Sequence, residues 1–116
     1  MATDDALTRP ATADIPIVQA QGDLDIANLE PLANRLRAAA ASSPVVILDA
    51  RDITFGDSSF LGVLITVNKS TDLRIAGARP TLRRLIEIVG MGTVLSLYHS
   101  VDEARSAPPR EPSRSW

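Results

Sequence analysis

Cysteine is absent from this chain of 116 residues. The absence excludes disulfide staples, thiolate nucleophiles and cysteine-ligated metals, and it fits a reducing cytosol. Histidine occurs once, as His99, and the carboxylates are scattered rather than clustered, so no metal site and no cofactor are expected. Aromatic residues make up only 3%. The core must therefore be built from Ala, Val, Ile and Leu, and the stacking platforms of single-strand nucleic-acid binders are missing. Neither sign of charge dominates: the formal net charge of −2 is far from the basic surface that direct nucleic-acid binding calls for. No apolar run approaches the roughly 20 residues of a membrane span. The first residues, MATDDALTRP, carry acids where a signal peptide has an apolar stretch. The expectation is a soluble cytoplasmic protein with no membrane contact. Neither a Walker loop nor Gly-x-Gly-x-x-Gly occurs.

What is present is a chain of strand-like and helix-like segments in alternation. Residues 1–13 read as a flexible arm, residues 14–106 as one domain, and the Pro-, Arg- and Ser-rich residues 107–116 as a disordered tail. From Ile15 a β-branched run leads to Gly22, with Pro16 near its start, as at an edge or at the first position of a strand. Ile26, Leu29, Leu32, Ala33, Leu36 and Ala40 follow at helical spacing. Asp25 is a candidate N-cap for that helix; either the helix starts near Asn28–Leu29 with Pro31 in its first turn, or it is kinked at Pro31. Val45 to Leu48 form a continuous apolar run, suited to a strand buried on both faces, and ARDITF reads as a brief turn out of it. A helix after Asp57 fades at Asn68-Lys69-Ser70. A strand over Leu73–Ala76, a helix after Pro80 stopped by Gly90, a strand over Val94–Tyr98 and a helix over Val101–Ser106 complete the pattern. Such alternation predicts an α/β domain: a parallel or mixed β-sheet of about four to five strands packed on about four helices.

The stretch ITFGDSSFLG holds the candidate chemistry. Asp57, Ser58 and Ser59 stand where strand periodicity gives way to helix periodicity. Three roles compete there. As a nucleophile, Ser58 would make a small serine hydrolase, since FGDS is similar to the opening block of GDS-type esterases. That block lies mid-chain here, the family's C-terminal Asp-x-x-His is absent, and Phe60 interrupts a Gly-x-Ser-x-Gly elbow. As a cap, Asp57 or Ser58 would accept the orphan N–H groups of the first turn. As a phosphate site, the helix start offers a favourable dipole, and modification of Ser58 would add about −1.5 to −2 charges beside Asp57. Arg79, Arg83 and Arg84 read as a solvated basic helix face.

The run V-V-I-L-D-A-x-x-I-T-F-G-D-S-S-F-L-G-V-L resembles the signature of the STAS domain of anti-sigma factor antagonists, in which a strand leads into Asp-Ser-Ser/Thr-Gly-Leu-Gly. Gly22-Asp23-Leu24-Asp25, the block from Arg79 to Leu85 and Val89-Gly90-Met91 are similar to three further family segments, in the same order. The resemblance implies a protein, not an enzyme, that binds a serine-kinase anti-sigma factor and releases a sigma factor. It implies Ser58 as the phospho-acceptor, with a phosphatase restoring the unmodified form. It also implies that Asp25 and Asp57 flank the phosphosite, and that Ser59 fills the motif's second hydroxyl position. The chain departs from the family at Phe60, which replaces a glycine and would put a bulky ring where the partner approaches. The segment NKSTDLRIAG is also shorter than usual in the family. Those departures motivate a second expectation, a STAS interaction or scaffold module of the stressosome kind that phosphorylation does not regulate.

Overall fold

The β-branched run near the start of the domain forms β1 (Ile17–Leu24), and the first apolar run at helical spacing forms α1 (Glu30–Ser42). The computed structural model describes residues 15–108; the predicted arm over 1–13 and all but the first two residues of the predicted tail over 107–116 lie outside the described residues. In α1, Leu29 is the N-cap residue without a side-chain bond and a proline sits in the first helical positions. Asp25 is therefore not the cap. Pro31 lacks an N–H and its fixed φ suits only the first turn, so the helix begins beside it, several residues past Asp25.

The long apolar segment continues as β2 (Val45–Gly56), twelve residues in all. The stretch ARDITF is strand and not exit. The reason lies in pairing: β3 (Asp72–Ala76) runs beside only Val45–Asp49 of β2, whereas β1 accompanies β2 as far as Gly56. The second half of β2 thus has one neighbour, and it carries the exposed Arg51, Asp52 and Thr54 of an edge. Register shifts occur between Gln19 and Gln21 and between Gly22 and Asp23. Gly22 adopts φ +79° at the second shift, so the glycine marks an irregularity within β1 and not its end.

The remaining elements are α2 (Ser58–Ser70), α3 (Pro80–Ile88), β4 (Ser96–Tyr98) and α4 (Val101–Ser106). The four strands lie in the order β1-β2-β3-β4 and every pairing is parallel. Strands added in sequence along one direction, each by a crossover of the same hand, leave their crossover helices on one face. The packing agrees. Leu32 and Leu36 of α1, Phe60, Leu61, Leu64 and Val67 of α2, and Leu82 and Ile86 of α3 join one cluster with Val46, Leu48, Leu73 and Ile75. On the other face the smaller cluster of Ile47, Ala76 and Ala104 seats α4.

Arg74 of β3 anchors α4 there. It is 1% exposed. Its Nη1 donates to the carbonyls of Ala104 at 2.6 Å and Ala107 at 2.8 Å, and its Nη2 to that of Pro108 at 3.0 Å. The same guanidinium pairs with Asp72 at 3.0 Å. Arg74 thereby satisfies carbonyls that the C-terminus of α4 leaves without intrahelical donors.

Candidate functional site

Gly56 ends β2 and Ser58 begins α2, leaving Asp57 as the single residue between strand and helix. Asp57 is the N-cap: its backbone is extended and its Oδ1 accepts from the Phe60 N–H at 3.0 Å. Its Oδ2 accepts from the Ile26 N–H at 3.3 Å, and its own N–H donates to the Leu24 carbonyl at 3.1 Å. The residue that caps α2 thus also ties down the connection between β1 and α1.

That connection is internally braced. Asp25 Oδ1 accepts from the Ala27 N–H at 2.9 Å, an Asx turn. Asn28 Oδ1 accepts from the Asp25 N–H at 2.9 Å, while Asn28 Nδ2 donates to the Asp23 carbonyl at 2.8 Å. Asp25 therefore stands beside the helix start through the Ile26–Asp57 bond and shapes the loop as well as charging it. On the neighbouring strand pair, the Thr54 hydroxyl donates to Asp23 Oδ1.

The residues singled out in the sequence divide at this junction. Asp57, Ser58 and Ser59 lie together at the first turn of α2; Ser58 is exposed and Ser59 half-buried. Phe60 does not belong to this surface. It is fully buried in the main core, and its ring lies against Gly56, where an added Cβ would stand 2.9 Å from Phe60 Cε2 and clash with Cδ2. The expectation of a bulky ring facing the partner is corrected by the helix geometry: the third residue of α2 points toward the sheet. Ile26, which the helical spacing put on the apolar face of the first helix, lies instead in the turn before α1 and is 78% exposed; Phe55, which sequence reasoning missed, is 47% exposed, and the two sit on the loop and strand flanking Ser58. The signal for Ile26 was an isoleucine inside the turn-forming string Asp25 to Asn28.

Other chemistry finds little support. Ser58 opens a helix on one face of the sheet, whereas His99 leads into α4 on the opposite face, with its backbone N–H bonded to Glu103 at 2.7 Å. The two are carried apart, and no nucleophile–base pair forms. Among the described residues no group of His, Cys, Asp and Glu could hold a metal ion, and no helix is long and apolar enough to cross a membrane. A cavity of about 370 Å³ lies on the α4 face, lined by Gln19, Asp49, Arg51 and Asp102 among others. Of its two carboxylates, Asp49 is already paired with Arg51 at 2.8 Å.

A four-stranded parallel sheet with a strand–Asp-Ser-Ser–helix junction defines a small α/β domain, and comparison with known proteins specifies which. The STAS domain matches residues 6–104. The chain belongs to the STAS domain family. It is similar in structure to an anti-sigma factor antagonist from Mycobacterium paratuberculosis, with 26% identity, TM-score 0.70, and coverage of 78% of this chain and 83% of that one. The anti-sigma factor antagonist SpoIIAA of Bacillus shares the fold. Its unphosphorylated form matches at TM-score 0.64 and 18% identity over 78% of this chain and 84% of that one. Its phosphorylated form matches at TM-score 0.57 and 19% identity over 76% and 85%. The STAS domain of a SulP transporter from Vibrio cholerae has the same fold, at TM-score 0.63 and 16% identity over 90% and 87%.

Proposed function

We propose that this chain is an anti-sigma factor antagonist. It binds a kinase-type anti-sigma factor in the cytoplasm and so frees a sigma factor for transcription. Phosphorylation of Ser58 by that partner ends the interaction, and a phosphatase restores it. The chain acts as a binding module and needs no cofactor of its own.

One observation carries the reading: Asp57 does the capping of α2, so the exposed Ser58 hydroxyl is not needed to hold the helix. A phosphoryl group there is favoured by the helix dipole and opposed by the carboxylates of Asp57 and Asp25. The modification changes the surface and leaves the core untouched. The likeness to the antagonist from Mycobacterium paratuberculosis, and to SpoIIAA in unphosphorylated and phosphorylated forms, supports the same assignment.

The test is incubation with ATP and a kinase-type anti-sigma factor from the same genome, followed by mapping of the modified residue. Modification at Ser58 is expected. Modification at another residue removes the assignment to Ser58, and absence of both modification and binding removes the function. A second reading, a STAS scaffold module that phosphorylation does not regulate, draws on the shared fold of the SulP transporter domain. Equal partner binding by wild type and Ser58→Ala purified from kinase-competent cells selects it.

A further inference from the structure

Ile26 is the most exposed large apolar side chain among the described residues, at 78%. Single exposed apolar residues are common and require no explanation by themselves. Ile26 differs because of how it is held. Its own N–H is bonded to Asp57 Oδ2, its neighbours on both sides are fixed by the Asp25 Asx turn, and Asn28 closes the loop against Asp25 and Asp23. The backbone beneath the side chain is fixed by five hydrogen bonds once the Asn28 N–H to Asp25 carbonyl bond at 3.1 Å is included. An apolar group displayed on a braced loop loses little backbone freedom when a partner covers it, which is the property of a preorganised anchor.

Its place identifies the partner. The group that braces Ile26 is the residue directly before Ser58. A protein that delivers a phosphoryl group to Ser58 Oγ must close over the first turn of α2, and the Ile26 N–H is bonded at 3.3 Å to the residue that caps that turn. Phe55, half exposed on β2 opposite Asp23, adds apolar surface at the same end of the sheet. Ile88 makes the contrast. It is 73% exposed, yet it lies at the last turn of α3, at the opposite end of the sheet from the start of α2.

We propose that Ile26 is the apolar anchor by which the kinase-type anti-sigma factor docks on this chain, entering an apolar socket on the partner beside the nucleotide site. The inference rests on the reading of Ser58 as that partner's substrate. It adds a contact that acts on affinity independently of the phosphoryl transfer itself.

The experiment measures the affinity of unphosphorylated wild type, Ile26→Ser and Ile88→Ser for a kinase-type anti-sigma factor from the same genome, without ATP. Far-ultraviolet circular dichroism confirms equal folding, as expected for exposed sites. Ile26→Ser is expected to raise Kd about tenfold, and Ile88→Ser to leave it within about twofold. Equal affinities for all three proteins, with wild type still binding and, in a separate incubation with ATP, phosphorylated at Ser58, overturn the anchor while sparing the functional reading. A wild-type chain that binds no such partner overturns both. Self-association of wild type that Ile26→Ser abolishes assigns the side chain to a contact between copies and overturns the anchor.

Discussion

Asp57 and Ile26, 31 positions apart in the chain, are joined by a hydrogen bond of 3.3 Å from the Ile26 N–H to Asp57 Oδ2. The other carboxylate oxygen caps α2 at the Phe60 N–H. One side chain therefore serves two elements. Asp57→Ala removes both bonds and is expected to destabilise the domain by about 1–2 kcal/mol, the upper part of the range for a lost N-cap. Asp57→Asn keeps an acceptor for the cap and is expected to cost less. Denaturant unfolding measures both, and amide exchange adds a sharper readout: Asp57→Ala accelerates exchange at Ile26 as well as at Phe60. Acceleration at Phe60 alone would show that the loop is held without Asp57.

Ser58→Asp places a carboxylate at the first turn of α2, beside Asp57. Because a helix start accepts negative charge and Ser58 is exposed, thermal stability is expected to change by less than about 1 kcal/mol. Affinity for the kinase-type anti-sigma factor is expected to fall at least tenfold, as measured by calorimetric titration. Unchanged affinity with an intact fold would remove charge at Ser58 as the switch.

Gly56 and Phe60 form the second coupled pair. The ring of Phe60 occupies the space that a side chain at position 56 would need. Gly56→Ala must push the ring away and is expected to cost about 1–3 kcal/mol. Phe60→Leu, which shortens the side chain, is expected to cost about 1 kcal/mol or more by leaving a void. In the double variant the void and the added methyl offset each other, so the combined loss is smaller than the sum. Strict additivity in denaturant melts would show that the two positions do not share that space.

These pairs also explain what was legible in the chain and what was not. The start of α2 was readable because Gly-Asp-Ser-Ser followed by an apolar helical pattern is local information. So was α3, with Pro80 opening it and Leu82 and Ile86 facing the core. The inward course of Phe60 was not readable, because it depends on the glycine beneath it and on the helix setting against the sheet. Arg51, Asp52 and Thr54 read as a turn because β2 loses its β3 neighbour beyond Asp49, and no periodicity records which strand stops first. The Asp57–Ile26 bond joins segments whose proximity exists only once β1 and β2 are paired.

Arg74 provides a test of how the second face of the sheet is closed. Its guanidinium bonds Asp72 and three carbonyls at the end of α4, and Tyr98 lies 5.9 Å from it. Arg74→Met keeps much of the stem and removes every one of those donors. Such a loss in a buried position is expected to cost about 3–5 kcal/mol. Amide exchange in α4 should rise more than in α2, since α2 packs on the opposite face. Uniform loss of protection across both helices would show that α4 has no separate anchorage.

Asp49 sets the expected response to acid. The Arg51 side chain, donating from Nε at 3.0 Å and Nη2 at 2.8 Å, holds the Asp49 carboxyl below the usual carboxylate range. Burial opposes this shift, and bonds from Gln19 Nε2 at 3.2 Å and the Arg51 N–H at 3.2 Å reinforce it. With the folded value depressed, the unfolded chain binds the proton more tightly. The ionised carboxylate therefore stabilises the fold above the unfolded value of about 3.9. That contribution is lost as pH falls through the lower folded value. Asp49→Asn is expected to be less stable than wild type at pH 7, with the gap narrowing below about pH 4. The Arg51 side chain is 62% exposed, so the effect is modest and shrinks with added salt. Denaturant midpoints at pH 7 and pH 3 decide the matter. A gap of equal size at both would mean that Asp49 contributes through hydrogen bonding and shape, and that its charge plays no part.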